Sequence, residues 1–177
     1  VGVNTGPGIL LADTDRAVTP KDSGRVEPPR IWTADEANAR ISELGELLPR
    51  LRGWVSRLGE VHAEQERLKE FWGRDVDAAD TPDHELKARL DAEWQNLSQR
   101  LEEAIGGLRR EGIEVKSLEE GLVDFYGIVD GQVVFLCWQR GEAEVTFFHP
   151  VGGGYRDRRP IPERNRAPST ARARDRA

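Results

Sequence analysis

One cysteine and three histidines are the chain's whole supply of thiol and imidazole: Cys137, His62, His84 and His149. Cys137 and His149 fall in a stretch rich in β-forming residues, and Asp124 lies on the run just before them. The runs Val123–Val129 and Gln132–Trp138 flank Asp130-Gly131, the preferred type I′ hairpin turn. A two-residue loop pairs Val129 with Gln132 and, counting inward, Tyr126 with Phe135, Phe125 with Leu136 and Asp124 with Cys137. Asp124 and Cys137 therefore share a face. A third run, Glu144 to His149, can pair in either of two registers. A two-residue Gly141-Glu142 turn sets Cys137 opposite Thr146 and sends His149 to the side of Leu136 and Trp138. A three-residue Gly141-Glu142-Ala143 loop with a bulge sets Cys137 opposite Phe147 and gathers Asp124, Tyr126, Cys137 and His149 on one side.

In the bulged register, a thiol, an imidazole and a carboxylate could serve as an activated nucleophile or as three ligands of a metal ion. No paired Cys or His at short spacing supports the metal. No oxyanion donors are legible for the nucleophile. The competing reading is structural: Cys137 a small buried hydrophobe, Asp124 satisfying backbone amides and His149 capping the sheet edge. A bound metal ion is the one cofactor the sequence admits, as the alternative to none. Elsewhere, His62 with Glu66 at i,i+4 resembles a ligand pair, but neither helix carries the Glu-x-x-His of bundle di-metal sites. His84 falls in a first helical turn, where it is solvated. Gly152-Gly153-Gly154 lacks the strand-loop-helix context of a phosphate cradle and reads as a hinge. The five tryptophans suit packing better than base stacking.

The elements that position these residues begin with a capping box, Thr33-Ala34-Asp35-Glu36. Ile41, Leu44, Leu48, Leu51, Val55 and Leu58 then follow the 3,4 spacing of a coiled-coil seam. After Leu58 the seam stutters: one continuation runs through His62, Gln65 and Lys69, the other steps early to Val61 and recovers Leu68 and Trp72. Pro49 predicts a kink or break near Gly45 to Pro49. Thr81-Pro82-Asp83-His84-Glu85 reads as a second start, with Thr81 at N-cap and Pro82 at N1. Leu86, Leu90, Trp94, Leu97, Leu101, Ile105 and Leu108 then form one face, closed at Gly112. A short link makes two such helices antiparallel.

The expected fold is thus α+β: a long antiparallel helical hairpin (33–73 and 82–111) followed by a three-stranded antiparallel β-meander (122–149), one domain spanning 31–161. Residues 1–30 and the arginine-rich 162–177 are expected to be disordered. The chain opens on Val1 without any methionine, so it stays open whether all of 1–30 is native sequence. A composition of 37% hydrophobic and 33% charged residues permits only a narrow core. From Tyr155 onward eight arginines face three acids, a net +5, which leaves −11 on the rest of a chain of net charge −6. Nucleic acid could meet such a tail, but the acidic body opposes it. A lone cysteine, no signal-like segment and no span-length apolar stretch give a cytoplasmic expectation with no membrane.

Gly121-Leu122-Val123-Asp124-Phe125, Leu136-Cys137-Trp138, Gly141-Glu142, Phe147-Phe148-His149 and Arg159-Pro160-Ile161 resemble the signature of a bacterial family catalogued as domain of unknown function 2203. Trp32-Thr33-Ala34-Asp35-Glu36-Ala37-Asn38 matches the family's aromatic-Thr-x-x-Glu-Ala-Asn opening. The family's Gly-aromatic-x-Gly-Arg segment departs here to Gly154-Tyr155-Arg156-Asp157-Arg158. The resemblance implies that hairpin and meander form one unit and sets Asp124, Cys137, Trp138 and His149 in its most recognisable segment, with no activity attached. The leading functional expectation is a non-catalytic interaction or scaffolding module whose hairpin meets a protein partner or a second copy. The alternatives are a metal-binding or thiol-dependent enzyme centred on Asp124, Cys137 and His149, and nucleic-acid binding through the arginine tail.

Overall fold

The computed structural model describes residues 28–78 and 80–166; the expectations for 1–27 and 167–177 lie outside them. Helix α1 (Ala34–Trp72) starts at the capping box, where Thr33 Oγ1 accepts from the Glu36 amide and Glu36 Oε2 accepts from the Thr33 amide. It runs through Pro49 unbroken, so of the kink or break expected there the break does not form. The missing bond falls on the exposed side, while the flanking Leu48 and Leu51 are fixed in the core. Of the two continuations after Leu58 the structure takes the early step: Val61 is fully buried and His62 exposed. A polar layer follows, in which Gln65 donates to Asp91 at 2.8 Å.

A 3-10 turn (Gly73–Asp77) ends the first arm, and helix α2 (His84–Arg110) returns antiparallel, as the cross-links Gln65–Asp91, Arg57–Glu93 and Arg40–Glu111 require. The second start differs from expectation. Thr81 does not cap: its hydroxyl donates to the Asp75 carbonyl at 2.6 Å, and Asp83 accepts from the Trp72 indole at 2.9 Å, so the helix begins at His84 rather than 82. The arms are also unequal, 39 residues against 27, or roughly 58 and 40 Å at 1.5 Å per residue.

The sheet has five antiparallel strands in sequence order, not three. Strand β1 (Ile113–Ser117) precedes the expected meander, and β2 (Leu122–Val129) and β3 (Gln132–Gln139) pair through the Asp130-Gly131 turn in the expected register. Strand β4 is Phe147–Pro150, shorter than the expected run from Glu144. Residues 140–146 leave the ladder because Val145 turns into the core, where its amide donates to Asn38 Oδ1, while the Glu142 carbonyl takes the Trp138 indole N–H. The two-residue strand β5 (Arg159–Pro160) closes the far edge, held in part by the Ile161 amide on the Thr146 carbonyl. Within the segment expected to be disordered, Glu163–Asn165 form a 3-10 turn and Arg164 pairs with Asp130.

One face of the sheet packs on the first half of α1 and the end of α2: Val123, Phe125, Leu136 and Trp138 meet Ala37, Leu44, Leu48, Leu51 and Leu108. Trp32 locks the chain into this layer, its amide on the Tyr126 carbonyl and its indole on that of Glu111. The close approach needs glycine. A Cβ at Gly112 (φ +72°) would stand 2.4 Å from the Arg30 carbonyl oxygen, and one at Gly127 would stand 2.6 Å from Leu136 Cγ. Leu136 is buried and has no room to yield. Gly127→Ala is therefore expected to lower unfolding free energy by about 1–3 kcal/mol in urea titrations.

Candidate metal centre

Strand pairing settles the open register. Asp124 stands opposite Cys137, Cys137 opposite Phe147, and His149 is two residues further along β4, so all three project from the face turned away from the helices. Their exposures are 1%, 0% and 2%. One ligand atom from each, a carboxylate oxygen, Sγ and an imidazole nitrogen, lie within 4.8 Å of one another. Ligand atoms around a tetrahedral zinc-type ion stand about 3.3–3.8 Å apart, so side-chain shifts of roughly 1 Å would close the set.

Hydrogen bonding fixes how the imidazole is presented. His149 Nδ1 lies 2.9 Å from the Pro150 carbonyl oxygen. A carbonyl can only accept, so Nδ1 carries the proton. Nε2 then points at Asp124 Oδ2 at 3.0 Å. A bare nitrogen lone pair and a bare carboxylate repel, so a cation must sit between them: a shared proton or a metal ion. Among the described residues the other oxygen, Asp124 Oδ1, is buried without a hydrogen-bond partner of ordinary geometry, while the Cys137 thiol stands close enough to interact with the carboxylate. Backbone anchoring of Nδ1 with Nε2 aimed inward is the arrangement of metal-bound histidines.

Electrostatics without a metal are those of a protonated cluster. Burial raises the Asp124 carboxyl above the usual range, although the neighbouring His149 works to lower it. Burial, and next the Asp124 charge, push the Cys137 thiol up to about 12. A thiol so held is the opposite of a thiolate nucleophile, which needs a depressed value and exposure.

Beside the cluster, Tyr126 donates to Glu114 at 2.7 Å, and the Lys116 ammonium lies 4.5 Å from the Phe135 ring centroid. Arg158 approaches from the other side. Its Nη2 donates to both Glu142 oxygens (2.8 and 2.7 Å) and to the Cys137 carbonyl oxygen (3.3 Å). Neither Arg158 nor Glu142 was expected at the site from the strand pattern; the only signals were the family-like segments Gly141-Glu142 and Gly154-Tyr155-Arg156-Asp157-Arg158 that contain them.

The remaining candidates are not brought in. His62 lies against Trp94 and Glu66 pairs with Lys69 on α1, while His84 sits in the first turn of α2. The Gly153 and Gly154 amides are spent on the Pro150 carbonyl and the Asp157 carboxylate, so they cannot cradle a phosphate.

Comparison with known proteins identifies the family. The model of the uncharacterized conserved protein family DUF2203 matches residues 30–161, and the chain belongs to it. No curated protein and no solved structure matches.

Proposed function

We propose that this member of the DUF2203 family is a metal-binding domain in which Asp124, Cys137 and His149 hold one divalent ion of the zinc type. The observation that carries the reading is the aim of His149 Nε2, its Nδ1 proton committed to Pro150, at a buried carboxylate whose second oxygen has no hydrogen-bond partner of ordinary geometry among the described residues. Sulfur, nitrogen and oxygen donors together suit a borderline ion such as Zn²⁺ rather than Mg²⁺ or Ca²⁺. The ion would join β2, β3 and β4 and add its binding free energy to folding. A three-residue set leaves a fourth position for water or an external ligand.

Loading purified protein with Zn²⁺, desalting it and measuring metal by elemental analysis tests this reading. About one ion per chain is expected for the wild type and below about 0.1 for Cys137→Ala, an all-or-none contrast set by loss of a ligand. A wild type that retains no metal, or a variant that retains as much as the wild type, overturns it.

A second reading, the helical pair as an interaction surface, rests on the Phe71 ring, 76% exposed and edge-on to Trp72 near the far end of α1. Light scattering is expected to show self-association that Phe71→Ser removes; a monomeric wild type ends this reading.

A further inference from the structure

We infer that residues 151–158 form a strap controlling ion exchange at Asp124, Cys137 and His149, with the Arg158–Glu142 ion pair as its latch. This rests on the metal-binding reading. All three ligands are at most 2% exposed, so an ion can enter or leave only if something covering them moves.

One end of the segment is tied to the carbonyl that orients His149, the other to the backbone of Cys137. At the first, one oxygen serves two donors: the Pro150 carbonyl accepts from His149 Nδ1 at 2.9 Å and from the Gly153 amide at 2.8 Å. Lifting that turn thus disturbs the bond that orients the imidazole. At the second end Arg158 donates to the Cys137 carbonyl and Glu142, and its guanidinium stacks 4.5 Å from the ring centroid of Phe147, the residue paired with Cys137. Its side chain is only 9% exposed.

Between the ends the hold is light. Gly152 and Gly154 have open space around them, Val151, Gly152, Tyr155, Arg156 and Asp157 are exposed, and a Tyr155 hydroxyl bond to Gln139 ties the middle to β3. The β2–β3 and β3–β4 ladders, by contrast, are continuous around the site. The segment most ready to open is the one that contacts the Cys137 backbone and the carbonyl that orients His149.

The test is the rate of Zn²⁺ release from the loaded full chain into excess chromogenic chelator. Glu142→Gln and Arg158→Lys are expected to release the ion about tenfold or more faster than the wild type, at unchanged stoichiometry, because a charge-assisted latch is weakened while the ligands stay. Release within about twofold of the wild type overturns the strap and leaves the metal-binding reading standing. A wild type that takes up no Zn²⁺ defeats both. Should both variants fail to fold by circular dichroism, Tyr155→Phe decides: faster release supports the strap, and an unchanged rate overturns it.

Discussion

Replacing His149 by alanine is expected to abolish metal retention and to cost the metal-free domain about 3–5 kcal/mol of unfolding free energy. The second effect follows from what is left behind. Asp124 would keep its burial while losing the imidazole that contacts its Oδ2, and removing one partner of a buried pair strands the other in a medium that cannot solvate it. The Pro150 carbonyl would lose one of its two donors, loosening the turn into the strap. His149→Gln, whose amide can donate to only one of the two oxygens the imidazole bridges, should recover part of the stability and none of the metal. Urea unfolding of the metal-free forms, with elemental analysis of the loaded ones, separates the two effects. A His149→Ala protein as stable as the wild type would show that the contact is incidental.

The other large effect is in pH. The Cys137 thiol is raised to about 12 in the fold from 9.0, so between these values the native state holds a proton the unfolded chain has lost. Stability is therefore fully present below pH 9 and falls as pH rises towards 12, by on the order of 4 kcal/mol for a shift of that size. Tyr126, raised to about 12 by burial and by Glu114, adds a decline of the same sign above pH 10. Cys137→Ala should remove the part that begins at 9 and leave the part due to Tyr126. In the loaded protein the metal takes the place of the thiol proton, so the Cys137 part should vanish there as well. Superimposable curves for metal-free wild type and Cys137→Ala would refute the assignment.

Much of this arrangement was legible in the residues. The Asp130-Gly131 turn fixed the β2–β3 register outright, because a two-residue loop leaves no freedom in the pairing. The capping box at Thr33 and Glu36 forms as expected. The second hairpin was ambiguous for a physical reason. Its register is set by Val145 seeking the core and by Asn38 reaching from α1 to the Val145 amide, contacts between segments far apart in sequence. The outcome has the pairing of the bulged alternative, reached through an irregular loop rather than a three-residue turn.

Strand β1 was within reach, since Ile113-Glu114-Val115-Lys116 alternates apolar and polar residues, but so short a run directly after a helix is easily taken for its frayed end. The two residues of β5 carry no pattern of their own and are placed by tertiary contact. Pro49 left a kink and a break both open, and no break forms because helix propensity is a weak term beside the burial of Leu48 and Leu51. The pair Arg158 and Glu142 could not be read as a pair at all, since loop residues reveal their partners only when the fold brings them together.

The central claim, that Asp124, Cys137 and His149 converge on one metal ion, is tested most directly by X-ray absorption at the zinc edge of the loaded protein. The account predicts one sulfur at about 2.3 Å together with nitrogen and oxygen scatterers at about 2.0–2.2 Å, an imidazole signature among them, and loss of the sulfur shell in Cys137→Ser. A first shell of oxygen alone, identical in wild type and variant, would contradict it.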